Sequence, residues 1–175
     1  TVSNDAVGRY SLNELAKYGV GTKHVTAVGG EARNSLAVVE TRAENCQSVI
    51  YRNGAADFQL TLSHVKNIPY TDYSTLILTG TSLAIEPSRS ATFKAMELAA
   101  KAGLKIILDV DYRPYSWVSA EDARETCLRA AKLSTIVIGN DDEFAVMGGG
   151  LELAKSLKAE IVIYKMGERG SVTFH

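Results

Sequence analysis

Residues 75–117, TLILTGTSLAIEPSRSATFKAMELAAKAGLKIILDVDYRPYSW, decide the fold. The stretch opens on the apolar run Leu76-Ile77-Leu78 and returns to a second run, Ile106-Ile107-Leu108. Two more, Ile136-Val137-Ile138 and Ile161-Val162-Ile163, continue at a spacing of 25 to 30 residues. Each run is short, does not alternate and is rich in β-branched residues, as expected of strands buried on both faces. Between the first two, Pro87 to Ala102 places Phe93, Met96 and Ala100 on one helical face and Lys94, Glu97 and Lys101 on another. Gly103 follows where a helix C-terminus favours glycine. A second helix is expected from Ser119, with Asp122 three residues on as a capping-box variant and Ala123, Cys127 and Ala130 facing inward. Strand–helix–strand alternation at this spacing implies right-handed crossovers, hence an α/β fold with a doubly wound parallel sheet covered by helices.

The first 70 residues read differently. A helix is expected over Asp5 to Tyr18, ending at Gly19. Three strand-like stretches then crowd together, His24–Val28, Asn34–Glu40 and Gln47–Arg52, with no room for helices between them. They predict an antiparallel meander. A meander beside a doubly wound domain has the organisation of a lid over a crevice. The expected division is an α/β core in residues 1–20 and 68–175, with a β-meander lid over 21–67. Gly148-Gly149-Gly150 reads either as a flexible turn or as a place where residues are missing.

Composition narrows the class. The chain has 175 residues, 46% hydrophobic and 22% charged, in the range of globular domains. A formal net charge of −1 offers no general attraction to nucleic acid or anionic lipid. No apolar run approaches the roughly 18 residues of a membrane span, and no basic-then-apolar leader opens the chain. Cys46 and Cys127 lie far apart without metal spacing and are expected to be reduced, buried and small-apolar in role, as in a cytoplasmic protein. The opening Thr1 predicts further residues upstream.

Ligands of open parallel sheets bind beyond the carboxyl ends of the strands, so the residues after each apolar run are the candidates. After the second run stand Asp109, Asp111 and Arg113. In an extended chain the two carboxylates point to the same side. A solvated strand end would explain the acids, but the planar donor Arg113 suits a carboxylate or phosphate ligand. After the third run, Asn140-Asp141-Asp142-Glu143 opens a helix. Capping accounts for Asn140 and is the reading that spacing alone favours. The functional reading has Asn140 and Glu143 holding a hydrated Mg²⁺ near nucleotide phosphates. After the fourth run, Lys165, Gly167 and Gly170 fall in a turn that is by default a hairpin. Its functional reading aims backbone N–H groups and Lys165 at phosphates. The GKS or GKT ending of a P-loop is absent. In the lid region, Arg33, Tyr51 and Arg52 are candidates to meet an anionic sugar acid together with Arg113, against the ordinary reading of solvated surface. His24 and His64 show no metal or triad pattern, and neither Ser35 nor Ser171 sits in a nucleophile elbow.

The order of these segments resembles the PfkB (ribokinase-like) carbohydrate kinase family. The helix ending in YGV (18–20), the lid, DVDYRPYSW (109–117), NDDE (140–143) and KMGERGS (165–171) follow one another as in that family across nearly the whole chain. The resemblance implies a ribokinase-like fold and ATP-dependent phosphorylation of a sugar hydroxyl with Mg²⁺. It further implies that Asp109, Asp111 and Arg113 lie by the sugar, Asn140 and Glu143 by the metal and phosphates, and Lys165, Gly167 and Gly170 by the nucleotide. Asp111 departs from the family's usual Asn, and a carboxylate donates a hydrogen bond only when protonated. GGEARNSLAVVE (29–40), YRNGAAD (51–57) and DYRPYSW (111–117) resemble most the 5-dehydro-2-deoxygluconokinases of inositol breakdown, and the lid strand also resembles 2-keto-3-deoxygluconate kinases. Both substrates are deoxy keto-acids, which implicates Arg52 and Arg113 at the substrate's polar end, followed by Arg33, with Tyr51 adjacent to Arg52. By analogy the lid is also a surface for a homodimer.

Neither the family's glycine-rich sugar segment before the first helix nor its GAGD segment, whose Asp is the general base, occurs in the sequence. The 175 residues by themselves are therefore expected to be inactive. Two rival readings remain. DxD after a strand also marks haloacid-dehalogenase-like phosphatases, although Arg113-Pro114 follows where that class has a small hydroxyl residue. A non-catalytic sugar-acid sensor would keep the lid and lose the chemistry.

Overall fold

The structure is a computed structural model and describes residues 1–42, 44 and 46–175. The chain divides into two compact units, Thr1–Leu60 and Thr61–His175. The first helix thus groups with the strand-like stretches that follow it, and the boundary falls at residue 60.

In the first unit, β1 (Val2–Ser3) leads into α1 (Ala6–Lys17), and β2 (Ala27–Val28) returns beside β1 in parallel. Asp5 caps α1 by accepting from the Val7 and Gly8 amides and from the Ser3 hydroxyl. These bonds to its ionised form hold the Asp5 carboxyl below its ordinary pKa. β3 (Leu36–Val39) and β4 (Ser48–Tyr51) form an antiparallel hairpin, pairing Leu36 with Tyr51 and Val39 with Ser48. The expected three-stranded meander is therefore a two-stranded hairpin. Its first member is taken by β1, whose two residues are too short to show periodicity in sequence. Leu36, Val38, Val39, Val49 and Tyr51 are all exposed.

The second unit starts with the short α2 (Leu62–Lys66) and holds a five-stranded sheet. Along the chain run β5 (Thr75–Thr79), α3 (Ser88–Lys101), β6 (Lys105–Asp109), α4 (Ala120–Lys132), β7 (Ile136–Asn140), α5 (Asp141–Val146), α6 (Gly150–Ser156), β8 (Ile161–Lys165) and β9 (Ser171–Phe174). The spatial order equals the chain order, parallel from β5 to β8, with β9 antiparallel at the edge. Right-handed crossovers that always step in one direction put their helices on one face. Burial agrees: Leu78, Ile106, Leu108, Val137 and Val162 are buried, whereas Ile77, on the alternate face, is 69% exposed. Helix cover on both faces, expected from the apolar runs, is thus complete on one face of this unit.

Ser119 caps α4 by accepting from Asp122 N, and Ala123, Cys127 and Ala130 are fully buried as expected. Burial pushes the Cys127 thiol up to about 12. Cys46 departs from expectation: it is exposed, and its Sγ donates to Glu40 O. The inward face of α3 is Ala91, Ala95, Met96 and Ala99 rather than Phe93, Met96 and Ala100. Small residues let the helix approach the sheet closely, while Phe93 lies under the Arg129 guanidinium, 4.0 Å from its ring centroid. Among the described residues no helix is long and apolar enough to cross a membrane.

Candidate active site

The last residues of three neighbouring parallel strands carry Asp109, Asn140 and Lys165. Asp109 pairs with Ile138 and Asn140 with Lys165, and side chains two apart share a face. All three therefore emerge on the face that also carries Ile77 and Ile107. Lys165 Nζ stands 3.6 Å from Asp109 Oδ1. That oxygen is buried and has no hydrogen-bond partner, although the Asp109 side chain as a whole is 41% exposed.

Asn140 and Glu143 form a reciprocal capping box at the start of α5. Asn140 Oδ1 accepts from Glu143 N at 2.9 Å, and Glu143 Oε2 accepts from Asn140 N at 2.7 Å. Glu143 Oε1 accepts from Tyr112 N at 3.3 Å, which ties the helix start to the segment after β6. Only 4% exposed, Glu143 has its pKa raised above the ordinary carboxylate value, chiefly because burial penalises the charged form. Asp109 adds to the rise, while the amide donors and Lys165 oppose it. The capping reading is thus realised, and the same carboxylate interacts electrostatically with both Asp109 and Lys165.

Asp111 corrects the expectation that the two acids point the same way. β6 ends at Asp109, and Asp111 adopts φ 38°, so the extended-chain argument stops one residue short. Its Oδ1 pairs with Arg113 Nη2 at 2.6 Å and its Oδ2 accepts from Thr81 Oγ1 at 3.3 Å. Gly80 supports this bend, since a Cβ there would lie 2.1 Å from Val110 O. The loop after β5 can approach the loop after β6 only with glycine at that position.

Lys165 to Ser171 is a hairpin turn: Met166 N donates to Gly170 O and Gly170 N to Gly167 O. Gly167 and Gly170 hold φ 57° and 83°, where other residues are strained. Asp141 anchors the turn, accepting from Tyr164 Oη at 2.8 Å and from Arg169 Nη2 at 3.0 Å. The bond from Tyr164 to this carboxylate raises the Tyr164 pKa.

In the first unit Arg33 curls onto its own turn, donating to Gly30 O and Ala32 O, with Asp5 3.8 Å from its Nε. Arg52 pairs with Asp57 and is only 17% exposed, and Tyr51 beside it is 64% exposed. The three candidate arginines thus each face a carboxylate of their own unit, Arg33 Asp5, Arg52 Asp57 and Arg113 Asp111. Sequence reasoning named the arginines and missed the pairings with Asp5 and Asp57. It also missed Arg89, which binds both Asp122 oxygens and the carbonyls of Leu83 and Ala84, and lies 5.6 Å over Trp117. Arg89 thereby fastens the loop after β5 to the start of α4. Nothing in the spacing of residues 33 apart announces such a bond.

Among the described residues no group of three or more His, Cys, Asp or Glu side chains is arranged to hold a metal ion. The oxygen-rich set that is present fits a hard cation bound largely through water and phosphate oxygens.

Comparison with known proteins agrees with this architecture. The chain is 36% identical over 184 residues to a 5-dehydro-2-deoxygluconokinase from Photobacterium profundum, covering 99% of this chain and 56% of that protein. It is 33% identical over 182 residues to one from Bacillus subtilis, with 99% and 56% covered. The chain therefore spans a little over half the length of these relatives. Fructokinase from Vibrio cholerae O395 in its apo form superposes with a TM-score of 0.84 at 24% identity, covering 99% of this chain and 61% of that one. Aminoimidazole riboside kinase from Salmonella enterica, complexed with aminoimidazole riboside and an ATP analogue, gives 0.82 at 19% identity, with 99% and 60% covered. The pfkB family carbohydrate kinase profile matches residues 1–175, and the chain belongs to that family.

Proposed function

We propose that the full-length protein is an ATP-dependent sugar-acid kinase that transfers the γ-phosphoryl group to the terminal hydroxyl of 5-dehydro-2-deoxygluconate. The observation that carries this reading is the meeting of Asp109, the Asn140–Glu143 box and Lys165 at the carboxyl ends of three adjacent parallel strands. The relatives' names supply the sugar acid. Phosphoryl transfer asks a protein mainly for positioning and charge neutralisation, and this set offers both.

In this reading Asp109, Asp111 and Arg113 meet the sugar. Lys165 and the Gly167–Gly170 turn border the nucleotide. Glu143 and Asn140 hold the hydration shell of Mg²⁺, which when bound neutralises phosphate charge. Both Glu143 oxygens already accept backbone N–H groups, so direct ligation is less suited to them than a water-mediated role. Arg52, Tyr51 and Arg33 of the first unit are further contacts of the sugar acid, and the exposed apolar hairpin β3–β4 suits a homodimer contact. The protein works in the cytoplasm, where ATP is available.

ADP release by the full-length protein with ATP and Mg²⁺ tests the proposal on 5-dehydro-2-deoxygluconate, 2-keto-3-deoxygluconate, ribose and fructose. Preference for the first supports it. Preference for the second keeps the kinase and changes the substrate. Sugar-acid binding without turnover favours the sensor and overturns the kinase.

A further inference from the structure

Beyond β4 the chain turns into a single 3-10 turn, Ala56–Gln59, and Asp57 in that turn faces back onto the hairpin. Asp57 Oδ2 accepts from Arg52 Nε at 2.7 Å and also from Arg52 Nη2, and Oδ1 accepts the Ser35 hydroxyl at 2.7 Å. The backbone reinforces the arrangement, with Ala56 N donating to Arg33 O at 2.8 Å and Ala55 bridged to Arg33. The Arg52 guanidinium also lies 4.4 Å from the centroid of Phe58, a ring that is 7% exposed. One edge and one face of the guanidinium are thus fixed by residues of the same short turn.

A guanidinium carries five N–H donors in a rigid plane. Asp57 occupies the edge formed by Nε and Nη2, so the edge formed by Nη1 and the second Nη2 proton keeps its donors for another acceptor. That end-on edge matches a carboxylate, or a carbonyl beside a hydroxyl, in one orientation. Because Asp57 balances the charge of Arg52, the pair selects by the direction of its donors more than by net attraction. Freezing the fork in advance spares a ligand the cost of ordering it.

We propose that Asp57 is a positioning residue: it fixes Arg52 so that its free edge meets the anionic end of the substrate, and so sets the discrimination between sugar acids and neutral sugars. The proposal rests on the reading of Arg52 as a substrate-binding residue. Asp57 itself touches no substrate in this scheme.

The test compares full-length wild type with Asp57→Ala, Asp57→Asn and Arg52→Ala. Binding of 5-dehydro-2-deoxygluconate and of fructose is followed by calorimetry, alongside kcat and the KM for ATP. Asp57→Ala is expected to weaken sugar-acid binding about 10-fold, the scale of a lost charge-assisted hydrogen bond, while fructose binding, kcat and the KM for ATP stay within about 2-fold. Asp57→Asn is expected to recover most of the affinity, since its amide oxygen still accepts from Arg52 and its NH₂ can donate to Ser35. A purely structural role would move acid, neutral sugar and ATP together.

Unchanged or tighter sugar-acid binding in Asp57→Ala, with binding weakened in Arg52→Ala, overturns the role of Asp57 alone. Unchanged binding in Arg52→Ala overturns the reading of Arg52 and the proposal with it. Where Asp57→Ala does not fold, Ser35→Ala decides, because it removes only the second bond to Asp57. It is expected to weaken sugar-acid binding about 3-fold, the low end for a single hydrogen bond, and unchanged binding overturns the proposal.

Discussion

Lys165 Nζ reaches to 3.6 Å from Asp109 Oδ1 across the intervening strand β7, although the two residues end strands that do not pair with each other. The cation sits where a buried carboxylate oxygen lacks a hydrogen-bond partner. Its charge therefore serves Asp109 and Glu143 in the folded chain, and the proposed function gives it a second role toward nucleotide phosphate.

Replacing Lys165 by Met separates these roles. Both partners are close to half exposed, so loss of the pair is expected to cost under about 1 kcal/mol of stability. The KM for ATP is expected to rise about 10-fold while the KM for sugar changes little. Thermal melts and steady-state kinetics of the full-length protein check both, and an unaltered KM for ATP removes Lys165 from the nucleotide site.

The buried Glu143 predicts a pH dependence of stability opposite to that of an ordinary ion-paired acid. Its pKa in the folded state lies above the ordinary value of 4.5, so between these values the folded chain holds more protons than the unfolded one. Stability from this group is therefore fully present below 4.5 and is lost as pH rises through the folded pKa. Glu143→Gln removes that titration while retaining one acceptor oxygen. The melting temperature of the variant relative to wild type is expected to improve from about pH 4 to pH 7, and a difference independent of pH contradicts the assignment.

The capping box makes a separate claim about Asn140. Asn140→Ala removes the acceptor for Glu143 N and is expected to cost about 1 kcal/mol in chemical denaturation, whereas Asn140→Asp keeps the cap. Equal stability of the two variants would show that the box does not hold the start of α5.

Much of this site was legible because strand ends and caps are local. The apolar runs placed β5 to β8, and Asn140 read as an N-cap from spacing alone, whereas the reciprocal bond from Glu143 back to Asn140 N came only with the structure. Three features were not local. The pairing of β1 with β2 joins two-residue strands across α1, too short for any periodic signal. The positive φ of Asp111 arises where the segment after β6 meets Thr81 and Gly80 from the loop after β5. Asp57 and Arg52 are only five residues apart, yet their bond depends on the 3-10 turn that brings the chain back.

Gly80 carries the closest of these approaches. Gly80→Ala would press a methyl group against the backbone carbonyl of the fully buried Val110. It is expected to destabilise the fold by about 1–3 kcal/mol, read from the denaturation midpoint. An unshifted midpoint would mean that the loop after β5 is free to move away.

Arg113 supplies the sharpest separation of folding from function. Its side chain is 40% exposed, paired with Asp111 and bonded to the adjacent Tyr112 carbonyl, so its neighbours within the unit are local. Arg113→Ala is expected to leave stability within about 1 kcal/mol, as for other half-exposed pairs. If the segment after β6 faces the sugar acid, the variant loses a bidentate donor, and kcat/KM for the sugar acid is expected to fall about 100-fold with the KM for ATP unchanged. Arg113→Lys keeps the charge without the planar fork and is expected to fall between the two. A folded Arg113→Ala protein with wild-type kcat/KM would remove Arg113 from the sugar site and leave it a local role with Asp111 and the Tyr112 carbonyl.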